Sequence, residues 1–136
     1  MDTDNLLRQH QEMLDLAAKI GAYQSQLEIK NNASAISNLL SQLAGKLKMH
    51  LMVEDKFVYP KLAMHSDTQI QKTSQKFSNE MGDLGQAFGD YKTKYLGASK
   101  IADNADLFMI DTKSVFAALT KRMDQENHSL YPLLNK

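Results

Sequence analysis

Residues 36–60 read ISNLLSQLAGKLKMHLMVEDKFVYP. Within this stretch Ile36, Leu40, Leu43, Leu47, His50, Glu54 and Phe57 recur at steps of three and four, which lays them along one face of an α-helix. Shifted by 72 positions, the stretch falls on residues 108–132, FMIDTKSVFAALTKRMDQENHSLYP. Ile36 then meets Phe108, Leu43 meets Val115, Leu47 meets Leu119, Glu54 meets Glu126, and Tyr59-Pro60 meets Tyr131-Pro132. A shift of 71 carries Leu6, His10, Met13 and Ala17 onto Phe77, Met81, Leu84 and Phe88. The chain reads as a duplicated helix pair.

The other faces follow from the same spacing. Leu6, His10, Met13, Ala17, Ile20 and Gln24 line a first helix, with Asp4 placed to cap it and Asn31-Asn32 to break it. Ser66 and Asp67 precede a third face of Ile70, Phe77, Met81, Leu84, Phe88, Tyr91 and Tyr95. Beyond the Gly97–Ser99 break come Phe108, Thr112, Val115, Leu119, Arg122, Glu126 and Leu130. Helices of about 20–30 residues, or roughly 30–45 Å, are expected. Joined by short polar breaks, they predict an all-α, antiparallel up-down-up-down four-helix bundle, one domain over residues 1–136. Gly82, Gly85 and Gly89 form a small-residue strip beside the third face, which predicts close approach of another helix, within the bundle or across a homodimer.

Composition removes several function classes. Sixteen basic and sixteen acidic residues cancel, and no basic stripe stands out, so neither nucleic acid nor a membrane surface is an expected partner. With no cysteine, thiolate metal sites, disulfides and cysteine nucleophiles are excluded. Met1-Asp2-Thr3-Asp4 lacks the basic flank and apolar run of a secretory signal, and no apolar run reaches the ~20 residues of a membrane span. A cytoplasmic location is the expectation.

His10, His50 and Glu54 interrupt faces otherwise built of Leu, Ile, Met and Phe. His50 and Glu54 are four apart, so both can reach one ion from one side of a helix. Burying a carboxylate and two imidazoles is unfavourable without a partner, and a metal ion is one such partner. Nitrogen and oxygen donors without sulfur suit iron, manganese or zinc. Taken singly, a core histidine is more often just hydrogen-bonded and a His-x-x-x-Glu pair often a chance spacing; it is the three together at one level that favour metal.

The string His50-Leu51-Met52-Val53-Glu54-Asp55-Lys56-Phe57-Val58-Tyr59-Pro60-Lys61-Leu62 resembles the core motif of the hemerythrin, or HHE cation-binding, domains. Arg8-Gln9-His10 is similar to that family's first-helix histidine, and Glu126-Asn127-His128-Ser129-Leu130-Tyr131-Pro132 to its closing motif. The resemblance covers essentially the whole chain. It implies a four-helix bundle around a carboxylate-bridged di-iron centre that binds oxygen or responds to oxygen, nitric oxide or iron. Carried over by position, it implies metal ligands at His10, His50, Glu54 and Glu126. Met81 and Arg122 stand where two further histidines are expected, so the second half-site is altered.

The expected cofactor is therefore non-haem iron, mononuclear rather than di-iron, at His10, His50 and Glu54 with Glu126 or water completing the set. Glu80, next to Met81, is a candidate extra ligand. Arg122 sits one turn before Glu126 and, by the repeat, near the level of Glu54, so it can supply both carboxylates with the positive charge of a missing ion. His65 and His128 are expected on a loop and on an outer face, and Tyr59 and Tyr131 near helix ends. The primary reading is a metal-binding protein, not an enzyme, whose small partner is a diatomic gas. The alternative is a metal-free bundle acting as a regulatory module for protein contacts. A ferritin-like oxidase would need Glu-x-x-His pairs, and this chain has none.

Overall fold

The computed structural model describes residues 3–136; Met1 and Asp2, part of the N-terminal stretch read above, lie outside the described residues. The helices are α1 (Asp4–Gly21), α2 (Gln26–Asn31), α3 (Ala33–Val53), α4 (Tyr59–Ala63), α5 (Thr68–Lys94), α6 (Ala98–Asp103) and α7 (Ala105–Gln125). A π-helical turn, Glu54–Val58, joins α3 to α4. A second, Glu126–Leu130, follows α7 and leads into a 3-10 turn at Tyr131–Asn135. No strand occurs among the described residues. The fold is an all-α helical bundle built on α1, α3, α5 and α7, and no helix among the described residues is long and apolar enough to cross a membrane.

Pairings along the helices fix the direction of neighbours. Gln9 reaches His50 while Glu12 reaches Lys46, so α1 and α3 run antiparallel. Lys94 meets Asp111 while Glu80 meets Arg122, so α5 and α7 do the same. One apolar cluster fills the centre, with Met13, Ile36, Leu43 and Leu119 each at 1% exposure or less. A smaller cluster of Leu6, Val58, Leu62, Leu130 and Tyr131 closes the end beyond the π turns.

The duplication is carried by the backbone as well as the side chains. The bounds of α2, α3 and the first π turn each recur 72 positions later in α6, α7 and the second. Proline explains the π turns. Pro60 and Pro132 have no amide hydrogen, and their rings crowd the carbonyl four residues earlier, so the regular ladder cannot continue. The helix widens instead: Tyr59 N–H donates to Glu54 O and Tyr131 N–H to Glu126 O, five residues back.

That widening corrects one expected face. Phe57 is 49% exposed, and Val58, at 0%, takes the inward position. Extrapolating a 3.6-residue period through Glu54 misses the extra residue in the turn. Asp4 lies within the first turn of α1 rather than before it, with Thr3 at the cap position. Gln24 falls beyond α1, which ends at Gly21. The predicted cap at Asp67 is present, its side chain accepting from Gln69 N–H at 2.8 Å. Helices α2 and α6 were not expected; Ser25, which accepts from Glu28 N–H at 3.1 Å, is the local signal for the first of them.

The glycine strip does not serve close approach within the described chain. A Cβ placed on Gly82 or Gly89 meets nothing within 4 Å, and on Gly85 it meets only Leu51 Cδ1 at 3.8 Å. Gly89→Ala is therefore expected to stabilise the protein by about 1 kcal/mol, because alanine removes unfolded-state freedom without a clash. Denaturant titration checks this, and destabilisation would show that the strip is covered in solution.

Candidate metal centre

Four elements converge on one buried point. His10 comes from α1, His50 from α3, Glu54 from the start of the first π turn and Glu126 from the start of the second. All four are 2% exposed or less. The five-residue closure of the second π turn brings Tyr131 over Glu126, and its hydroxyl donates to Glu126 Oε1 at 3.3 Å. In an uninterrupted α-helix residues five apart point to different sides.

His10 Nε2 lies 3.0 Å from His50 Nε2 and 2.9 Å from Glu126 Oε1, and His50 Nε2 lies 3.5 Å from the same oxygen. Metal bonds of ~2.0–2.2 Å place neighbouring donors about 3 Å apart, so these spacings fit one ion. The ligand atoms of His10, His50 and Glu126 all fall within 4.8 Å of one another. Glu54 lies alongside. Its Oε2 accepts from the Tyr131 hydroxyl at 2.9 Å, while its Oε1 is fully buried, has no hydrogen-bond partner among the described residues and sits 3.4 Å from His50 Nε2. A buried carboxylate oxygen without a hydrogen bond, beside an imidazole, is what a site shaped for a cation presents.

The far sides of both rings are held. His10 Nδ1 donates to Asn127 Oδ1 at 2.7 Å, and His50 Nδ1 donates to Gln9 Oε1 at 2.8 Å. Fixing the proton on Nδ1 turns both Nε2 atoms inward as donors for a metal, the support that histidine ligands need. Sequence reasoning missed Gln9, Asn127 and the central position of Tyr131. The first two stand next to His10 and Glu126 in the chain. The signal for Tyr131 was the repeated Glu-x4-Tyr-Pro spacing.

The repeat accounts for the opposite half. Gln9, His10 and His50 correspond to Glu80, Met81 and Arg122, so the contact between Gln9 and His50 reappears as one between Glu80 and Arg122. An amide–imidazole pair has become a carboxylate–guanidinium pair. Arg122 is 5% exposed; its Nη1 lies 3.3 Å from Glu80 Oε2, its Nε 3.4 Å from Glu126 Oε2 and its Nη2 3.3 Å from the Tyr59 hydroxyl. It also donates to Phe77 O and stacks 4.5 Å over the Phe77 ring. Glu80, half exposed, thus points its carboxylate at Arg122 and is not among the residues whose ligand atoms gather with the two histidines. Met81 is buried in the apolar core. His65 accepts from Asp67 N–H in the loop, and His128 is exposed and bonded to Asp124 O.

Burial pushes the His50 imidazole down, but the adjacent carboxylates of Glu126 and Glu54 outweigh it and raise it to about 9. Glu54 is raised to about 7, chiefly by burial. Burial works against Glu126 as well, yet hydrogen bonds from His10 and His50 hold it well below the ordinary carboxylate range. The Tyr131 hydroxyl, pushed up by burial and by both carboxylates, stays a neutral donor. His50 binds its proton more tightly folded than unfolded. Its contribution is therefore full below pH 6.5 and lost as pH rises through about 9. For chelator-treated protein we expect stability to fall by up to roughly 3 kcal/mol over that window, measured by denaturant titration. A flat profile would contradict a charged His50.

Residues 1–134 match the family model of the hemerythrin HHE cation binding domain. No curated protein and no solved structure matches the chain.

Proposed function

This chain belongs to the hemerythrin HHE cation-binding domain family, and on that premise we propose that it holds one non-haem iron ion and binds or senses oxygen, nitric oxide or iron itself through it. His10, His50 and Glu126 would hold the ion, with Glu54 beside them. The observation that carries this reading is the pair of imidazoles whose Nδ1 atoms are engaged by Asn127 and Gln9, leaving both Nε2 atoms aimed at one carboxylate. When bound, iron(II) with two imidazoles and a carboxylate supplies open positions for a diatomic ligand. The chain's residues do the rest. Gln9 and Asn127 orient the rings, the buried setting keeps water out, and Tyr131 offers a neutral O–H donor beside the ligand atoms. Binding rather than catalysis is the proposed role, because His10, His50, Glu54 and Glu126 and the groups bonded to them, Gln9, Asn127 and Tyr131, are taken up as ligands or their supports.

One equivalent of iron(II) should give protein whose absorption spectrum changes on anaerobic addition of nitric oxide. His50→Ala protein treated identically should show no change. An identical response in both would place the iron elsewhere.

A second reading has its own observation. Arg122 and the Tyr131 hydroxyl already give Glu126 and Glu54 partners. A metal-free bundle that works through surface contacts, as a homodimer or with another protein, is therefore the alternative. Failure of the purified chain to take up any transition metal would favour it.

A further inference from the structure

We infer that the groove between α1 and α7, whose lining includes none of His10, His50, Glu54 and Glu126, binds an amphiphile with a long apolar chain and a carboxylate head. The groove encloses about 1110 Å³. That is the size of a cleft that takes a small molecule, slightly above the usual range of roughly 300–1,000 Å³. Its walls are apolar: Leu14, Ala17 and Ile20 on α1 face Phe108, Met109 and Phe116 on α7.

The polar groups stand at the rim. Lys113 and Lys121 are exposed, line the same groove and lie eight residues apart on α7, about 12 Å along the axis. Among the described residues neither ammonium has an ion-pair partner. Asp124, also in the lining, is an exposed carboxylate whose Oδ1 lies 3.3 Å from the His128 ring and which forms no ion pair with either lysine among the described residues. An apolar trough with unpaired cationic heads on one lip complements a chain that ends in an anion.

The duplication argues that this is not generic bundle surface. The corresponding seam lies between α3 and α5, where Gly85 and Ala44 replace Leu14 and Phe116, and Leu51 packs against Gly85. Lys113 and Lys121 correspond there to Ser41 and Met49. Across the groove itself Ala17 and Ile20 stand where the other seam has the larger Phe88 and Tyr91, so the open trough and the two charges coincide on one of the two seams that the repeat relates. A free carboxylate amphiphile, rather than a second copy of the chain, is the occupant this combination suits. A copy would have to bury both lysines, and burying an unpaired ammonium is unfavourable.

The test is calorimetric titration of the full chain, chelator-treated to keep metal out of the readout, with dodecanoate and with dodecyltrimethylammonium below their micelle concentrations. Dodecanoate should bind at about one per chain, and the cationic analogue at least about tenfold more weakly. Lys113→Ala/Lys121→Ala should lose about tenfold for dodecanoate with little change for the ammonium. Ala117→Trp, at an exposed position in the lining, should block both while leaving the melting curve intact. Absence of dodecanoate binding, equal affinity for the two head groups, or undiminished binding by Ala117→Trp would overturn the inference. So would a dimer dispersed by Ala117→Trp in a chain that ignores dodecanoate, since the groove would then belong to a second copy. None of these outcomes bears on the iron site.

Discussion

His50→Ala is expected to lower iron(II) affinity by more than about a hundredfold while helical content stays unchanged. Removing a residue that merely supports a ligand costs about 10–100-fold in metal affinity, and a donor itself should exceed that range. Gln9→Ala supplies the internal comparison. Gln9 fixes the His50 ring through Nδ1 at 2.8 Å without being a ligand, so its loss should fall inside the 10–100-fold band. If the two variants behaved alike, His50 would not be a donor. The proton balance gives the experiment a second axis. His50 in the metal-free protein holds its proton up to about pH 9, and a metal must displace it. Wild-type affinity should therefore rise with pH, about tenfold per unit below that value, and His50→Ala should flatten the dependence. This trend opposes the stability of the metal-free protein, which falls over the same window.

The second large effect concerns the half that has no histidine pair. Arg122→Ala is expected to destabilise the metal-free protein by about 3–5 kcal/mol, because it leaves Glu126 buried with less compensating charge. It also removes the cover over Phe77 and the partner of the Tyr59 hydroxyl. Glu80→Gln should cost far less, since Glu80 is half exposed and its pairing with Arg122 is screened by water. Metal should recover part of what Arg122→Ala loses, as an ion beside Glu126 supplies the missing charge. Denaturant titrations with and without iron(II) measure this directly. An Arg122→Ala protein as stable as wild type in the absence of metal would mean that the guanidinium is incidental to the carboxylates.

The spacing of apolar residues and the 72-residue repeat made the four long helices and their pairing legible, but not the short α2 and α6, since a 3.6-residue period shows only over several regular turns. It fails at Glu54–Val58, where the π turn before Pro60 puts Val58 rather than Phe57 inward, whereas in the matching Glu126–Leu130 turn the expected Leu130 is buried. The π geometry explains both the misplaced Phe57 and the unforeseen centrality of Tyr131. His10, His50, Glu54 and Glu126 were legible because polar residues on apolar faces are conspicuous. Gln9 and Asn127 were not, because a neutral amide on a helix edge looks like ordinary surface until its partner ring is placed. The partner of Arg122 was only half legible. Its contact with Glu126 follows from i,i+4 spacing, whereas its choice of Glu80 over Glu54 depends on how α5 packs against α7. The seam between α1 and α7 could not be read from periodicity, which gives faces but not the gaps between them.

The most direct test is an anaerobic titration of the chelator-treated chain with iron(II), read as metal bound per chain after removal of excess. Saturation at about one ion per chain, lost in His50→Ala, is the predicted result. Saturation at about two would contradict the assignment of Arg122 as the charge of the opposite half, and less than about a tenth of an equivalent would contradict the metal centre itself.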